Sequence, residues 1–144
     1  LAVVGDFLAP PLPSGRFERV MLDAPCSGTG TLRKNPEIRY RVTPAAIEEL
    51  SRVQVDALSR ASELLAPGGF LLYATCSLET EENERVVEEV LAGRPELALA
   101  DIEPTEALRP FVDGARFRLL PDERTDGFTA HLLRRKTGNG KRET

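Results

Sequence analysis

LLAPGGFLLYATCSL, residues Leu64–Leu78, decides the fold. Its centre, Phe70–Ala74, is apolar at every position, the pattern of a strand buried on both faces of a parallel sheet. Pro67-Gly68-Gly69 closes the element before it, and that element is a helix. Thr43-Pro44 starts the helix, with Thr as N-cap and Pro at the first helical position. Ile47, Leu50, Leu58, Ala61, Leu64 and Leu65 then share one apolar stripe. Further upstream, Phe17–Leu22 is a second strand that runs into Asp23-Ala24-Pro25-Cys26. Ser27-Gly28-Thr29-Gly30 breaks regular structure as a flexible turn. Ala9–Gly15 is a proline-rich loop. Ala2–Val4, ending at Gly5-Asp6, is expected to be a short buried strand.

Downstream of the central strand, Thr80 is expected to cap a second helix. Glu81, Glu82 and Glu84 then lie in its first turn, where the helix dipole favours acids. Val86, Val87, Val90 and Leu91 form its buried face, and Gly93 stands at its C-terminal end. Leu97–Ile102, Phe117–Leu120 and Phe128–Arg134 are the remaining strand candidates. Strands alternating with helices predict an α/β sheet, mostly parallel. The last two strands lack an intervening helix, so an antiparallel edge strand is expected. Residues 1–136 form one domain, and 137–144 read as a disordered tail.

The chain has 144 residues, 41% hydrophobic and 29% charged, which suffices for one domain around one core. A net charge of −4 by itself disfavours a nucleic-acid partner. The charge is unevenly spread, however. Arg33, Lys34, Arg39 and Arg41 crowd between Thr31 and Val42 with only Glu37 opposing them, whereas Glu79–Val90 is acidic. Cys26 and Cys76 are too few for a disulfide scaffold, and no basic leader segment precedes them. No apolar run approaches the roughly 20 residues of a membrane span. A reducing, cytoplasmic setting away from membranes is expected.

In open parallel sheets, ligands bind beyond the carboxyl ends of the strands. Three such ends here carry Asp6, Asp23 with Cys26, and Cys76. Cys76 follows a strand and precedes a helix start, a setting that favours a thiolate. Each cysteine also fits the plainer role of a small buried apolar residue. His131, the only histidine, lies in the last strand pattern and reads as structural, so no metal site is expected. A thiol-dependent hydrolase or oxidoreductase would need His131 as its base.

Asp23-Ala24-Pro25-Cys26-Ser27-Gly28-Thr29-Gly30-Thr31-Leu32-Arg33-Lys34-Asn35-Pro36-Glu37 closely resembles the motif IV segment of the Sun (Fmu-like) family of RNA cytosine-5 methyltransferases. Leu65-Ala66-Pro67-Gly68-Gly69, Tyr73-Ala74-Thr75-Cys76-Ser77-Leu78 and Glu81-Glu82-Asn83-Glu84 resemble its motif VI segment. Leu120-Pro121 and Thr125-Asp126-Gly127-Phe128 resemble its closing motif. The likeness runs from about Val3 to Arg135.

The resemblance implies a Rossmann-like class I methyltransferase sheet and S-adenosylmethionine as cofactor. It implies that Cys76 attacks C6 of a cytosine, that C5 takes the methyl group, and that Cys26 assists release. Asp23 would serve the base and the methyl-bearing end of the cofactor, and Asp6 the adenine end. Arg33, Lys34 and Arg39 become candidates for RNA phosphate contact, with ribosomal RNA the expected substrate.

The family's glycine-rich cofactor loop, the acidic residue after its second strand and its RNA-binding region find no counterpart in this sequence. The chain is therefore expected to be a piece of a longer protein, truncated at its N-terminus. Alone it is expected to be inactive, to bind cofactor weakly or not at all, and to self-associate through an exposed sheet edge. The full-length protein is expected to be monomeric. Thr129, where the family commonly has an aromatic residue, is expected to affect packing. A non-catalytic methyltransferase-like module that binds RNA or protein is the alternative function.

Overall fold

The computed structural model describes residues 2–138. Strand β1 is Phe17–Asp23, helix α1 Pro44–Glu63, strand β2 Leu65–Thr75 and helix α2 Glu84–Gly93. The strands β3 Leu97–Leu99, β4 Val112–Asp113, β5 Arg116–Leu119 and β6 Phe128–Arg135 follow. The sheet runs β1-β2-β6-β5-β4, and β3 pairs with β6 beside β5.

Helix α1 forms where the cap chemistry predicts. The Thr43 hydroxyl accepts a hydrogen bond from the Ala46 amide at 3.1 Å, with Pro44 at the first helical position. The helix crosses back over the sheet, so β1 and β2 run parallel, paired from Arg19↔Phe70 to Asp23↔Ala74. Parallel strands need such a crossover. Helix α2 likewise joins β2 to β3, which run the same way with β6 between them, whereas β5 reaches β6 without a helix. β6 accordingly enters antiparallel to β2, and β3 and β5 pair antiparallel with β6. The antiparallel part of this mixed sheet is thus larger than a single edge strand, and β6 lies inside the sheet.

One face of the sheet is covered by the two helices. Leu58 and Ala61 of α1, Val86, Val87 and Val90 of α2, and Leu65, Leu71, Tyr73, Leu97 and Leu133 of the strands form the core. The other face is open: Met21, Phe70, Leu72 and Leu132 line a cleft of about 620 Å³ with Arg19, Asp101 and Glu103 at its rim. No helix of the described chain is long and apolar enough to cross a membrane.

Four local expectations need correction. Helix α1 ends at Glu63 with Leu64 as its C-cap, so Leu65 and Pro67-Gly68-Gly69, expected at the end of the helix, belong to strand β2, where Leu65 already pairs with Phe17. Ala2–Val4 forms no strand, and Val4 is fully exposed. A strand needs a partner ladder for its backbone, and among the described residues the outer edge of β1 pairs with nothing. Thr80 does not cap α2: Thr80–Glu82 is a separate 3-10 turn, and α2 begins at Glu84 behind Asn83. Leu97–Ile102 narrows to Leu97–Leu99, although the Ala100 amide still donates to the Leu132 carbonyl at 2.9 Å. The expected tail, 137–144, lies outside the described residues from 139 onward.

Candidate active site

The parallel register brings the carboxyl ends of β1 and β2 side by side. Two loops leave from there, Ala24–Gly30 and Cys76–Glu79. A bond from the Ala24 amide to the Ala74 carbonyl (2.9 Å) starts them together, and one from the Gly30 amide to the Cys76 carbonyl (2.9 Å) closes them. The sulfurs of Cys26 and Cys76 stand 3.2 Å apart, within hydrogen-bond range, and both thiols are free. Both side chains are only partly buried. A cleft of about 250 Å³ lined by Ile38, Arg41, Ala46 and Leu50 opens beside Cys26.

The two thiols are not equivalent. Burial pushes Cys26 up to about 12, and the neighbouring Cys76 adds to the rise. Losing that proton would place a charge in a poorly hydrated spot next to another sulfur. Cys26 is therefore a thiol at neutral pH, able to donate its proton toward the sulfur of Cys76.

Hydrogen bonds hold both cysteine loops rigidly. Gly28 takes a left-handed conformation (φ 74°) that feeds the 3-10 turn Thr29–Thr31. The Thr29 hydroxyl accepts the Leu78 amide at 3.0 Å. The segment expected to be a flexible turn is thus a tied one. A third loop joins them: the Gly127 amide donates to the Gly30 carbonyl at 2.8 Å. Thr129, expected to affect packing more than chemistry, is buried and donates its hydroxyl to the Ser77 carbonyl at 3.1 Å.

Four buried residues to which the sequence assigned no part in the site complete this frame. Gln54 of α1 donates to the Pro25 carbonyl at 2.8 Å and to Glu82 Oε1 at 2.9 Å. Glu82 lies fully buried, although its place after Thr80 reads as an acid in the first turn of a helix. Asn83 accepts the Thr75 hydroxyl at 2.7 Å and donates to the Ser77 carbonyl at 3.1 Å. The Tyr73 hydroxyl donates to the Glu82 carbonyl at 2.6 Å, and burial raises its pKa. A polar residue on an otherwise apolar stripe was the available signal for Gln54.

Asp23 is the last residue of β1, exposed at the strand end three residues before Cys26. Asp6 is exposed and follows no strand; its carboxylate accepts the Leu8 amide at 2.9 Å, which closes its own turn. Arg33 and Lys34 both meet Asp126, at 3.3 and 2.6 Å. Lys34, and Arg33 after it, hold the Asp126 carboxyl below the usual carboxylate range. Arg39 lies in the 3-10 helix Pro36–Tyr40, its guanidinium 4.7 Å from the centre of the exposed Tyr40 ring.

His131 sits in β6, buried, with Nδ1 lacking a partner. Burial lowers its pKa; the charges that bear on it are Glu84 and Arg116. The unfolded chain therefore binds this proton more readily than the folded one. Stability from this residue is full above the ordinary value of 6.5 and is lost as pH falls through the lowered folded value. Denaturant titrations from pH 7.5 to 5 should show this decline, and His131→Gln should flatten it.

An open α/β sheet with its reactive groups beyond adjacent strand ends is the arrangement of Rossmann-like class I methyltransferases, the class that this fold and site define. The family model described as 16S rRNA methyltransferase RsmB/F matches residues 3–134, and the chain belongs to that family. It is 38% identical over 133 residues to the ribosomal RNA small subunit methyltransferase B of Thermus thermophilus, covering 89% of this chain and 31% of the relative. To the probable ribosomal RNA small subunit methyltransferase B of Bacillus subtilis it is 35% identical over 126 residues, covering 84% and 28%. Among solved structures, PH0851 superposes with a TM-score of 0.71 at 38% identity, over 83% of this chain and 27% of that one. NSun6 from Pyrococcus horikoshii with SFG gives 0.62 at 30% identity, over 80% and 29%. The chain thus spans less than a third of the length of these relatives.

Proposed function

We propose that this chain forms the thiol-bearing part of an S-adenosylmethionine-dependent RNA methyltransferase that modifies carbon 5 of a cytosine in ribosomal RNA. The observation that carries the reading is the pair of free thiols 3.2 Å apart at adjacent strand ends. Carbon 5 of cytosine is a weak nucleophile, and covalent addition at C6 overcomes this. The Cys76 thiolate forms a bond to C6, and the displaced π electrons make C5 nucleophilic. After C5 has gained a methyl group, loss of its proton re-forms the C5–C6 double bond and expels the Cys76 thiolate. Cys26 stands where its proton can meet that leaving sulfur. After losing the proton it can also act as the base toward C5.

The cofactor supplies an electrophilic methyl group when bound. One residue supports part of its site: Asp23 is an exposed carboxylate at the end of β1, three residues before Cys26. Asp23 would hold its methyl-bearing end and the proton at the base N3, and Asp6 its adenine end. The solved relative NSun6 with SFG, an analogue of S-adenosylmethionine, supports this cofactor.

The names of the relatives support ribosomal RNA as substrate. RNA phosphates would compete with Asp126 for Arg33 and Lys34, while Arg39 and the Tyr40 ring offer a charged stacking surface for an unstacked base. A single-stranded or looped target lowers the cost of extruding the cytosine.

RNA carrying 5-fluorocytosine at the target tests the reading, in a full-length protein that contains this chain. Fluorine at C5 cannot leave as a proton, so a covalent protein–RNA adduct should persist on a denaturing gel once cofactor is added. Methyl transfer to ordinary RNA without any such adduct would overturn the covalent route.

A further inference from the structure

We propose that Glu82 is a positioning residue that sets the spacing of the two thiols by gripping both cysteine loops with one carboxylate. The inference rests on the two-thiol reaction for its functional meaning, but its geometry stands alone. Oε1 accepts the Ser27 amide at 2.8 Å and the Gln54 side chain at 2.9 Å. Oε2 accepts the Ser27 hydroxyl and, at 2.6 Å, the Ser77 hydroxyl. Ser27 directly follows Cys26, and Ser77 directly follows Cys76. A carboxylate offers about four acceptor sites, and here donors from both loops and from α1 occupy them. The two serine hydroxyls also lie 3.2 Å from each other.

The carboxylate is itself immobilised. Its backbone carbonyl accepts the Tyr73 hydroxyl from the central strand at 2.6 Å. The residue is 0% exposed, and no Lys or Arg pairs with it among the described residues. Burying an acid without a cation is costly unless its hydrogen bonds are complete. A residue needed only for packing would not carry that cost. A carboxylate can accept at both oxygens at once, so it can draw two loops together from one point. Glutamine cannot accept at both ends: its amide nitrogen must donate, which forces the two serine hydroxyls to reverse. Alanine leaves the Ser27 amide and the Gln54 amide without this acceptor.

The spacing can be read without RNA or cofactor. One glutathione disulfide oxidises the Cys26–Cys76 pair: a sulfur–sulfur bond forms in the protein, one breaks in glutathione, and two glutathione thiols are released. The equilibrium constant, in molar units, is the effective concentration of one thiol at the other. In the chain as it stands, Glu82→Ala and Ser77→Ala should each lower it roughly tenfold to a hundredfold, the cost of about 1 Å of misplacement. Glu82→Gln should fall between these and the parent. Glu89→Gln, on the exposed side of α2, serves as the control.

In a full-length protein, Glu82→Gln should lower kcat while leaving the KM for RNA unchanged. If Glu82→Ala unfolds, as seen by circular dichroism, Glu82→Gln and Ser77→Ala decide. Folded variants with the parent's effective concentration would overturn the proposal. If the Glu82 effect on the thiols holds but the parent forms no adduct with 5-fluorocytosine RNA, the reaction is wrong and the positioning role stands.

Discussion

Alanine at position 76 is expected to abolish methyl transfer, whereas alanine at position 26 is expected to leave the protein bonded to its RNA. The opposite outcomes follow from unequal roles at one spot. Without the Cys76 sulfur nothing adds to C6, and C5 stays unreactive. Removing a covalent nucleophile costs about four orders of magnitude or more in rate. Incorporation of labelled methyl into RNA, in a full-length protein that contains this chain, measures that loss. Cys26→Ala keeps the nucleophile but removes the proton carrier 3.2 Å from it. Addition and methyl transfer proceed, expulsion stalls, and an adduct should accumulate on ordinary cytosine in a denaturing gel. Cys26 holds its proton up to about 12. Its thiolate fraction therefore grows about tenfold per pH unit between 7 and 10. If Cys26 is the C5 base, adduct decay should speed up over that range in the parent and not in Cys26→Ala. Full turnover by Cys76→Ala would reverse the assignment of the two sulfurs.

Gly30→Ala is expected to be the most damaging single change that touches no reactive atom. A methyl group at this position would meet the Cys76 carbonyl oxygen and the Gly127 carbonyl oxygen, each at 2.7 Å. Both contacts are backbone, so no side chain can swing away. The same residue bonds to both neighbours, through its amide to Cys76 and its carbonyl to Gly127. The three loops are thus pressed together at a point where only hydrogen fits. Overpacking of this kind costs about 1–3 kcal/mol or more. The carbonyl pushed aside belongs to Cys76, so activity should fall further than stability alone dictates. Thermal unfolding measures the first effect, and adduct yield from still-folded protein the second. Gly93→Ala supplies the contrast. It ends helix α2 with nothing within 4 Å of the added carbon, and alanine there should be neutral or slightly stabilising. Equal behaviour of the two variants would show that the close approach at Gly30 carries no weight.

Much of this molecule was legible in its residues. The apolar run Phe70–Ala74 marked a central strand, Thr43-Pro44 marked a helix start, and Cys26 and Cys76 fell just beyond strand ends. These are short-range signals: side-chain periodicity, a cap, a proline. Each depends on a few neighbouring residues, so a chain segment displays it wherever it lies.

The tertiary structure alone decided what the long-range pairings decide. The register Asp23↔Ala74 turned two thiols fifty positions apart into neighbours at 3.2 Å. The fold drew Glu82 inward from what reads as the first turn of a helix, and the Gly127–Gly30 contact set the neighbouring Asp126 against Arg33 and Lys34. The fold also left Ala2–Val4 without a ladder to join. A carboxylate is equally well satisfied by water or by two serines and two amides, so its sequence position does not reveal which. Only the packed sheet, by excluding water and fixing which loops meet, makes that choice.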